Sequence, residues 1–454
     1  MNQDQRSTIT ALNPLDGRYK DKTEELSPFL SEYALIKYRI QIEVKYLLSL
    51  SKNKVIRELS TNEQELLTSF YTDFSVEEAL KVKTIEEETR HDVKAVEKYL
   101  RNKFNETSLK DIAEMIHFGL TSEDVNNIAY RLMLKDSLEK VIEPKISALN
   151  EEIKARAKQY KQTVILARTH GQAAIPTTFG KEMAVFYARL EKELVALKKQ
   201  ILTGKLNGAV GNFSSFYFAD PEIDWIKFSK EFISSFGLLP NLMTTQINPF
   251  EDVIATIQNL QRVNGILLDF DQDMWRYISD GWLKLAVKEK EVGSSTMPQK
   301  VNPIDFENSE GNLTLANGLM QAMNDKLYIS RLQRDLTNST IIRNLGTILG
   351  YCLLAYKSSL TGILRTDINQ EMITEDLEKD WSILSEGLQT FLRKEGFTEA
   401  YDVVKKSVRG KQMDKNAWEE LIQSLPLDAK QKEKLLKLTP KSYIGLAEKL
   451  VDEI

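Results

Sequence analysis

The sequence has little cysteine and little histidine. Cys352 is the only cysteine among 454 residues, which excludes an intramolecular disulfide and any paired-cysteine metal or redox motif. The histidine spacings HxxxH and HExxH are missing, so we expect no bound metal. No glycine-rich dinucleotide-binding turn follows a strand-like segment, so we expect no nicotinamide or flavin cofactor. A single cysteine suits the reducing cytoplasm.

The chain also lacks an excess of one charge and a long hydrophobic run. Its 61 basic and 66 acidic side chains give a formal net charge of -5, so no general basic field is available for nucleic acid or an anionic membrane. The N-terminus is polar, and the uncharged apolar stretch from Leu345 to Tyr356 is too short to span a bilayer. We expect a soluble cytoplasmic protein in which an anionic ligand needs a local cluster of cations.

Apolar residues recur at alternating steps of three and four, which is the period of an amphipathic helix. The three clearest seams are Leu134, Leu138, Ile142, Ile146, Leu149 and Ile153; Met183, Tyr187, Leu190, Leu194, Leu197 and Ile201; and Val253, Ile257, Leu260, Val263, Leu267, Phe270, Met274 and Ile278. Pro144 is expected to kink the first of these helices. Residues 313–323 and 345–364 have comparable apolar content, so the middle of the chain predicts about five long helices, enough for a bundle.

Shorter helical patterns flank this bundle on both sides. Thr121-Ser122-Glu123-Asp124 has the pattern of a helix N-cap box and marks the end of a loop near residue 121. Ser27-Pro28 starts a helical segment before it, and a lysine-rich helical tail begins near residue 370. Convincing strands are scarce. We therefore predict an all-α fold with an N-terminal helical domain (1–120), a central helical-bundle domain (121–365) and a C-terminal helical domain (366–454).

The chain has three histidines, His91, His117 and His170, and none lies inside a long seam. Each belongs to a short polar cluster: Thr89-Arg90-His91-Asp92, His117-Phe118-Gly119-Leu120-Thr121-Ser122, and Arg168-Thr169-His170-Gly171-Gln172. A histidine beside hydroxyls and glycine can titrate and transfer protons. The alternative is that each histidine caps a helix or satisfies a buried hydrogen bond.

The segment Gly293 to Asn302 reads GSSTMPQKVN. Small polar residues are followed by Met297-Pro298, which stiffens the chain, and then by Lys300; this composition indicates a mobile loop. A serine hydrolase is disfavoured because Ser294 lies outside any GxSxG elbow. The alternative is a flexible surface linker.

These residues resemble the fumarase and aspartase superfamily, whose mobile loop reads GSSxMPxKxN. Within it, the chain resembles the adenylosuccinate lyase family through Asp16-Gly17-Arg18-Tyr19, Thr244-Thr245-Gln246 and the segment QRDLTNSTIIRN at 333–344. The resemblance spans the full chain. It implies a homotetramer with a twenty-helix core and active sites shared between subunits. It also implies β-elimination of fumarate from adenylosuccinate and from the succinylated carboxamide ribotide of purine synthesis.

The resemblance implies a role for each matching residue. Ser294 would be the general base, His170 the general acid and His91 a substrate-binding catalytic residue, while Lys300 and Asn302 would bind the succinyl carboxylates. Further substrate-binding positions would be Arg90, Asp92, Thr121, Ser122, Thr169, Gln246 and Arg334. The phosphate would be bound by Arg18, Tyr19, Ser339 and Arg343. His117 would support the site. Gln299 departs from the family pattern, because these lyases often have histidine there.

The implied chemistry explains these residue types. Serine is a weak base and needs loop amides or Lys300 to stabilise its alkoxide while water is excluded. A substrate with two carboxylates and a phosphate needs convergent cations such as Arg18, Arg334 and Arg343. Two alternatives stay open: a sister lyase that cleaves argininosuccinate, malate or aspartate, and a helical scaffold that kept the fold without the activity.

Overall fold

The computed structural model describes residues 7–287 and 295–454. The protein is 66% helical, which confirms the predicted all-α class. Two compact units are present, one comprising residues 1–146, 193–264 and 311–356, the other residues 147–192, 265–310 and 357–454. The three-domain division predicted from helix length stays a prediction.

The N-terminal part is a series of short and medium helices with polar caps. Ser31 Oγ accepts a hydrogen bond from Ala34 N at 3.1 Å, and Ser60 with Glu63 forms a capping box, so donors at helix starts are satisfied locally. The α-helices here are Lys20–Thr23, Ser27–Leu30, Glu32–Lys52, Thr61–Thr72, Val76–Thr89 and Asp92–Phe104, with 3-10 turns at Glu24–Leu26 and Lys110–Met115.

Long helices occupy the middle of the chain, as the seams predict. They are Ser122–Ser137, Glu143–Gln159, Phe179–Lys198, Glu251–Ser279, Ile304–Leu327 and Leu345–Leu364. The N-cap box is confirmed, because Thr121 N donates to Asp124 Oδ2 at 2.9 Å. One seam position is wrong: Ile201 lies beyond the end of its helix and is 65% exposed.

A π-helical turn at Leu138–Ile142 interrupts the helix that precedes Pro144. Proline has no N–H to donate to the carbonyl four residues earlier, so the α-helical hydrogen-bond pattern must change there. The turn separates Ser122–Ser137 from Glu143–Gln159. The kink expected at Pro144 stays a prediction, and the structure shows a change of helix type just before the proline.

The most apolar long helix, Leu345–Leu364, coincides with the apolar stretch 345–364 of the sequence. By length and composition alone, the helical segment Thr337–Leu364 could cross a membrane, with an 18-residue window of mean hydropathy 1.2. However, 67% of that window is buried inside the protein. Tyr356 OH also donates to Asn264 Oδ1 at 2.6 Å in the interior. Burial with satisfied polar groups is the pattern of a core helix.

In residues 7–287 and 295–454, three two-stranded sheets accompany the helices. Val164–Thr169 pairs antiparallel with Gln172–Thr178, Thr203–Gly204 pairs parallel with Leu239–Pro240, and Leu283–Leu285 pairs antiparallel with Thr366–Ile368. In the first, Thr169 lies opposite Gln172, so His170 and Gly171 form a two-residue hairpin turn. Both have positive φ, +54° and +73°, as a type I′ turn requires.

The remaining helices are short. They are Ser214–Ala219, Trp225–Ser234 and Thr337–Ile342, followed by the C-terminal Gln370–Glu378, Ser385–Lys394, Ala400–Val408, Lys415–Ser424, Ala429–Leu436 and Ala447–Asp452, with a 3-10 turn at Trp381–Leu384. The C-terminal helices pack around fully buried Trp418 together with Leu384, Leu388, Leu392 and Ile422. This satellite core holds the lysine-rich tail in a defined fold.

Asp271 provides a test of the interior packing. Its carboxyl is buried and accepts from Ser359 Oγ at 2.5 Å, and burial raises its pKa to about 8. In the unfolded chain an aspartate carboxyl has a pKa of about 3.9. Between about pH 4 and pH 8 the folded protein therefore keeps a proton on Asp271 that the unfolded chain has lost. The free energy of unfolding of the wild type should fall as pH rises through this range. We expect Asp271→Asn, which stays neutral, to gain Tm relative to wild type as pH rises through this window.

The control is the exposed carboxylate Glu420, changed to glutamine, which should show no such trend. Thermal unfolding at pH 5, 7 and 9 measures the difference. If the wild-type and Asp271→Asn curves stay parallel, Asp271 is not protonated in the folded protein.

Candidate active site

His91 lies in a tight junction between two helices. Helix Val76–Thr89 ends at Arg90, which has φ +54° and whose N–H donates to Glu86 O at 2.8 Å. His91 is then the N-cap of Asp92–Phe104, and its Nδ1 accepts from Lys94 N at 3.1 Å. The helix-capping alternative is thus confirmed for His91. Because the cap occupies only Nδ1, Nε2 stays available to a ligand.

Asp92 joins two arginines. Its Oδ2 accepts from Arg39 at 2.6 Å and from Arg343 at 2.9 Å, and the Arg39 side chain is only 1% exposed. Burial alone would raise the pKa of Asp92, but the Arg39 charge outweighs it and holds the pKa at about 2. Asp92 therefore stays ionised and fixes the orientation of Arg343. No partner for Arg39 was predicted, although a charged residue between Ile36 and Ile40 on an apolar face indicates a buried pair.

A second ion pair holds Arg334. Its guanidinium bonds Glu123 Oε1 at 3.1 Å and donates to Gln246 Oε1 at 3.1 Å. Gln246 Nε2 in turn donates to Ala209 O at 3.0 Å. Glu123 directly follows Thr121 and Ser122 in the chain, so the start of this helix lies beside Arg334. Two predicted site residues, Gln246 and Arg334, are in direct contact.

Tyr130 lies close to both ion-pair groups. It lines a cavity of about 10 Å³ together with Glu123, Arg334 and Ser339, which is room for roughly one water molecule. Burial raises the pKa of Tyr130, and the positive charge of Arg343 opposes that rise. Around Tyr130 the structure therefore brings together the predicted site residues Asp92, Arg334, Ser339 and Arg343, and Gln246 contacts Arg334. His91, Thr121 and Ser122 adjoin this group in the sequence.

Arg343 also borders a larger cavity of about 580 Å³, lined in addition by Asn13, Lys20 and Ser31. Arg18 and Tyr19 belong to the same N-terminal segment but do not line this cavity. The Arg18 guanidinium instead lies 5.9 Å from the centre of the Tyr19 ring. The segment thus places one further cation, Lys20, at the cavity that Arg343 borders. Among the residues described, Arg18 and Arg343 are not in direct contact.

His170 and Thr169 belong to the other compact unit. His170 is exposed at the hairpin turn, so for this histidine the helix-cap and buried-bond alternatives are wrong. Arg168, one residue before Thr169, pairs with Asp376 at 2.6 Å and its guanidinium lies 5.7 Å from the Trp282 ring. These contacts anchor the base of the turn and leave the imidazole at its tip accessible.

The loop containing Lys300 is only partly described. Gly293 and Ser294 lie outside the described residues, so neither the mobile-loop nor the linker interpretation is tested there. Lys300 is exposed and its N–H donates to Met297 O at 3.1 Å, forming a turn around Pro298. Asn302 follows shortly before helix Ile304–Leu327.

Carboxylates in the first unit are engaged by cations rather than grouped for a metal. Asp124 lies 3.2 Å from Lys205 Nζ, with both side chains fully buried, and Glu43 bonds His117 at 2.5 Å. His117 therefore satisfies a buried hydrogen bond, as one alternative proposed. In the part of the chain that the structure describes, no group of three or more histidine, cysteine or carboxylate side chains could hold a metal ion.

The Arg39–Asp92–Arg343 group provides a prediction. Asp92→Asn should lower the free energy of unfolding at neutral pH by about 3 kcal/mol, because buried Arg39 loses its counter-charge. Since the folded pKa of Asp92 lies below the unfolded value of about 3.9, the stabilisation is complete above that pH and is lost as pH falls toward 2. Denaturant unfolding at pH 7 and pH 3 should therefore show that the free energy of unfolding of the wild type exceeds that of Asp92→Asn by less at pH 3. An equal difference at both values would contradict the ion pair.

Comparison with known proteins identifies the family. A lyase family matches residues 17–318, and the adenylosuccinate lyase C-terminal family matches residues 330–444. Adenylosuccinate lyase from Haemophilus influenzae is 45% identical over 99% of this chain and 100% of its own length. The Escherichia coli K12 adenylosuccinate lyase is 44% identical over 99% of each.

Solved structures share the fold at much lower identity. A fumarate lyase from Mesorhizobium sp. BNC1 superposes with a TM-score of 0.76 at 19% identity, covering 95% of this chain and 97% of its own. The 3-carboxy-cis,cis-muconate lactonizing enzyme of Pseudomonas putida gives a TM-score of 0.76 at 17% identity, covering 97% and 98%. At this identity the likeness concerns the fold alone. From the full-length sequence matches, the chain belongs to the adenylosuccinate lyase family of the fumarase and aspartase superfamily.

Proposed function

We propose that this chain releases fumarate from two succinylated purine nucleotides, adenylosuccinate and the succinylated carboxamide ribotide SAICAR, giving AMP and AICAR. Full-length similarity to adenylosuccinate lyases supports this. The observation that carries it is the pairing of Arg334 with Glu123 and of Arg343 with Asp92 beside His91. Oriented guanidinium groups are what a substrate with several anionic groups requires.

The substrate would be held by distributing its charges over different cations. Lys300 and Asn302 would bind the succinyl carboxylates. Arg18, Tyr19, Ser339 and Arg343 would hold the phosphate. In the free protein Arg343 pairs with Asp92, so its side chain is already oriented and less conformational entropy is lost when the anion binds.

The reaction breaks a C–H bond and a C–N bond and forms a C=C bond. Ser294 would take the proton from the carbon next to a carboxylate, and the electron pair left there would be delocalised into that carboxylate. Lys300 would stabilise the resulting dianion. His170 would then give a proton to the leaving nitrogen, so that the purine amine and fumarate separate. The exposed position of His170 at a hairpin tip supports this role.

The remaining assignments concern the substrate's neutral and polar groups. His91 would use Nε2, because its Nδ1 caps a helix. Asp92 is anionic and would act through Arg343 or on hydroxyl groups rather than on the phosphate. The other polar positions proposed to line the substrate are Arg90, Thr121, Ser122, Thr169, Gln246 and Arg334. A sister lyase acting on argininosuccinate, malate or aspartate would not need the phosphate ligands.

The chain would act as a homotetramer in the cytoplasm, with active sites that combine residues of several subunits. Helix Ile304–Leu327 supports the assembly. Its exposed side includes Leu315 and Leu319, which are 55% and 38% exposed, and at Gly311 and Gly318 an added Cβ would meet nothing within 4 Å. Apolar and small residues spaced by three and four form a surface suited to close helix packing. The buried free thiol of Cys352 fits a reducing compartment.

A direct assay tests the reaction. The purified wild-type chain should release fumarate from adenylosuccinate, followed by absorbance, and should be inactive with argininosuccinate, malate and aspartate. Ser294→Ala and His170→Gln should each lower kcat by about 100-fold or more, since each removes one proton-transfer group.

Circular dichroism and size analysis must show that both variants fold and assemble like wild type. Thr296→Ala, in the same loop as Ser294, is the matched control and should lose far less activity. If the wild type releases no fumarate from adenylosuccinate, the proposed function is refuted. If either variant keeps the kcat of the wild type, the proposed role of that residue is refuted.

The helix surface gives a prediction about assembly. Leu315→Glu should break the tetramer into smaller species, because a buried unpaired carboxylate is costly. Leu80→Glu changes a leucine that is 62% exposed on helix Val76–Thr89 and serves as the control. Light scattering after size exclusion measures the mass of each assembly. If Leu315→Glu forms a tetramer as stable as that of the wild type, the exposed side of helix Ile304–Leu327 is not an interface.

A further inference from the structure

Glu43 is fully buried on helix Glu32–Lys52, and its carboxylate binds a single residue of another segment. Oε2 accepts from the backbone N–H of His117 at 3.1 Å, and Oε1 lies 2.5 Å from His117 Nδ1. An ionised carboxylate can only accept, so opposite ionised Glu43 the Nδ1 atom must carry a proton. The other ring nitrogen, Nε2, is the one that Glu43 leaves free.

Tyr46, one turn further along the same helix, holds the next residue of the loop. Its hydroxyl donates to Phe118 O at 2.8 Å. His117 has φ +61°, a left-handed conformation that costs a non-glycine residue roughly 1–2 kcal/mol. Two neighbouring side chains of one helix thus hold the loop in a conformation that it would not adopt alone.

The loop stays constrained up to the helix that contains Ser122. Ser215 Oγ donates to Gly119 O at 3.0 Å. Gly119 has φ +69°, and an added Cβ would lie 2.7 Å from the Phe216 ring, so only glycine fits. Thr121 is then fixed by its N-cap bond to Asp124. Displacement of His117 would therefore move Thr121 and Ser122 as well.

We propose that Glu43 is a positioning residue, which keeps the Nδ1 proton of His117 toward its carboxylate and presents Nε2 as a donor to an anionic group of the substrate beside Thr121 and Ser122. The inference rests on the proposed function, because it assumes an anionic substrate at this loop. It adds a residue that no sequence motif singled out.

The electrostatic surroundings of His117 support a protonated ring. Burial alone would lower its pKa, but the negative charge of Glu43 raises the pKa above the ordinary value, with smaller contributions from Glu97 and Asp124. Glu97 is already paired with Lys94 at 2.9 Å and Arg101 at 3.0 Å.

Asp124, the third acidic group near His117, is also shared. It lies 3.2 Å from Lys205 and accepts from the backbone N–H of Asn207 and Gly208. Among the described residues, Glu43 differs from these two acids because it forms an ion pair with His117 and with no lysine or arginine. Removing that charge should affect His117 more than removing either of the others.

The test compares Glu43→Gln, which keeps the size and removes the charge, with Glu43→Asp, which keeps the charge on a shorter side chain. Proteins labelled with ¹³C-histidine give signals from three histidines, and the signal missing in His117→Gln assigns His117. In wild type, His117 should titrate above the ordinary value of about 6.5. Glu43→Gln should lower that pKa by about one unit or more, and Glu43→Asp by less.

Enzyme kinetics give the second measurement. The alkaline limb of the kcat/KM profile should move to lower pH in Glu43→Gln, with KM raised about 10-fold and kcat changed less. Glu97→Gln is the charge control and Tyr46→Phe the packing control; neither should move the pH profile comparably. Thermal unfolding shows whether each variant folds. If Glu43→Gln does not fold, Glu43→Asp is compared with the wild type instead.

Two outcomes would overturn the proposal. In one, the His117 pKa is the same in wild type and Glu43→Gln. In the other, Glu43→Gln and Glu43→Asp lose activity equally at every pH, as a purely structural role would predict. The NMR titration needs no substrate, so failure of the wild type to release fumarate would refute the proposed function separately.

Discussion

Three buried or half-buried acids, each paired with one or two basic groups, determine the arrangement of the candidate site. Asp92 holds Arg39 and Arg343, Glu123 holds Arg334, and Glu43 holds His117. A buried charge is tolerated only when it is paired and hydrogen-bonded. The pairing therefore does two things, because it makes burial of Arg39 possible and it fixes the direction in which each basic group points.

This constraint explains how a chain of net charge -5 can be suited to an anionic substrate. The cations are local and pre-oriented, and their partners come from helices such as Glu32–Lys52 and Ser122–Ser137. Preorganised charges stabilise a developing anion without reorganising during the reaction. In the proposed elimination, such groups would hold the substrate while Ser294 and His170 transfer protons. The family relationship and the local geometry thus support the same chemistry from independent directions.

Local features were predictable from the sequence. The seam from Val253 to Met274 and the N-cap box at Thr121 and Asp124 depend on interactions within a few residues. At Pro144 a kink was expected, whereas the π-helical turn that precedes it was not. The loop motif and the segment 333–344 also identified the family, because motif matches require no knowledge of the fold.

Features that depend on distant partners were not predictable. Arg39 and Glu43 lie in an apolar helix, and their partners Asp92 and His117 are 53 and 74 residues away in the sequence. The hairpin that holds His170 was missed because its strands lack clear alternation; its turn is set by the positive φ of His170 and Gly171. The end of helix Phe179–Lys198 before Ile201 likewise reflects the packing that follows rather than the apolar period.

We propose that His170 and Ser294 act together on one substrate in sites that combine different subunits. Mixing inactive His170→Gln with inactive Ser294→Ala under conditions that exchange subunits tests it most directly, because some mixed sites then receive both wild-type residues. Fumarate release from adenylosuccinate should reappear on mixing. If mass spectrometry shows mixed tetramers and no activity returns, His170 and Ser294 do not act together in shared sites.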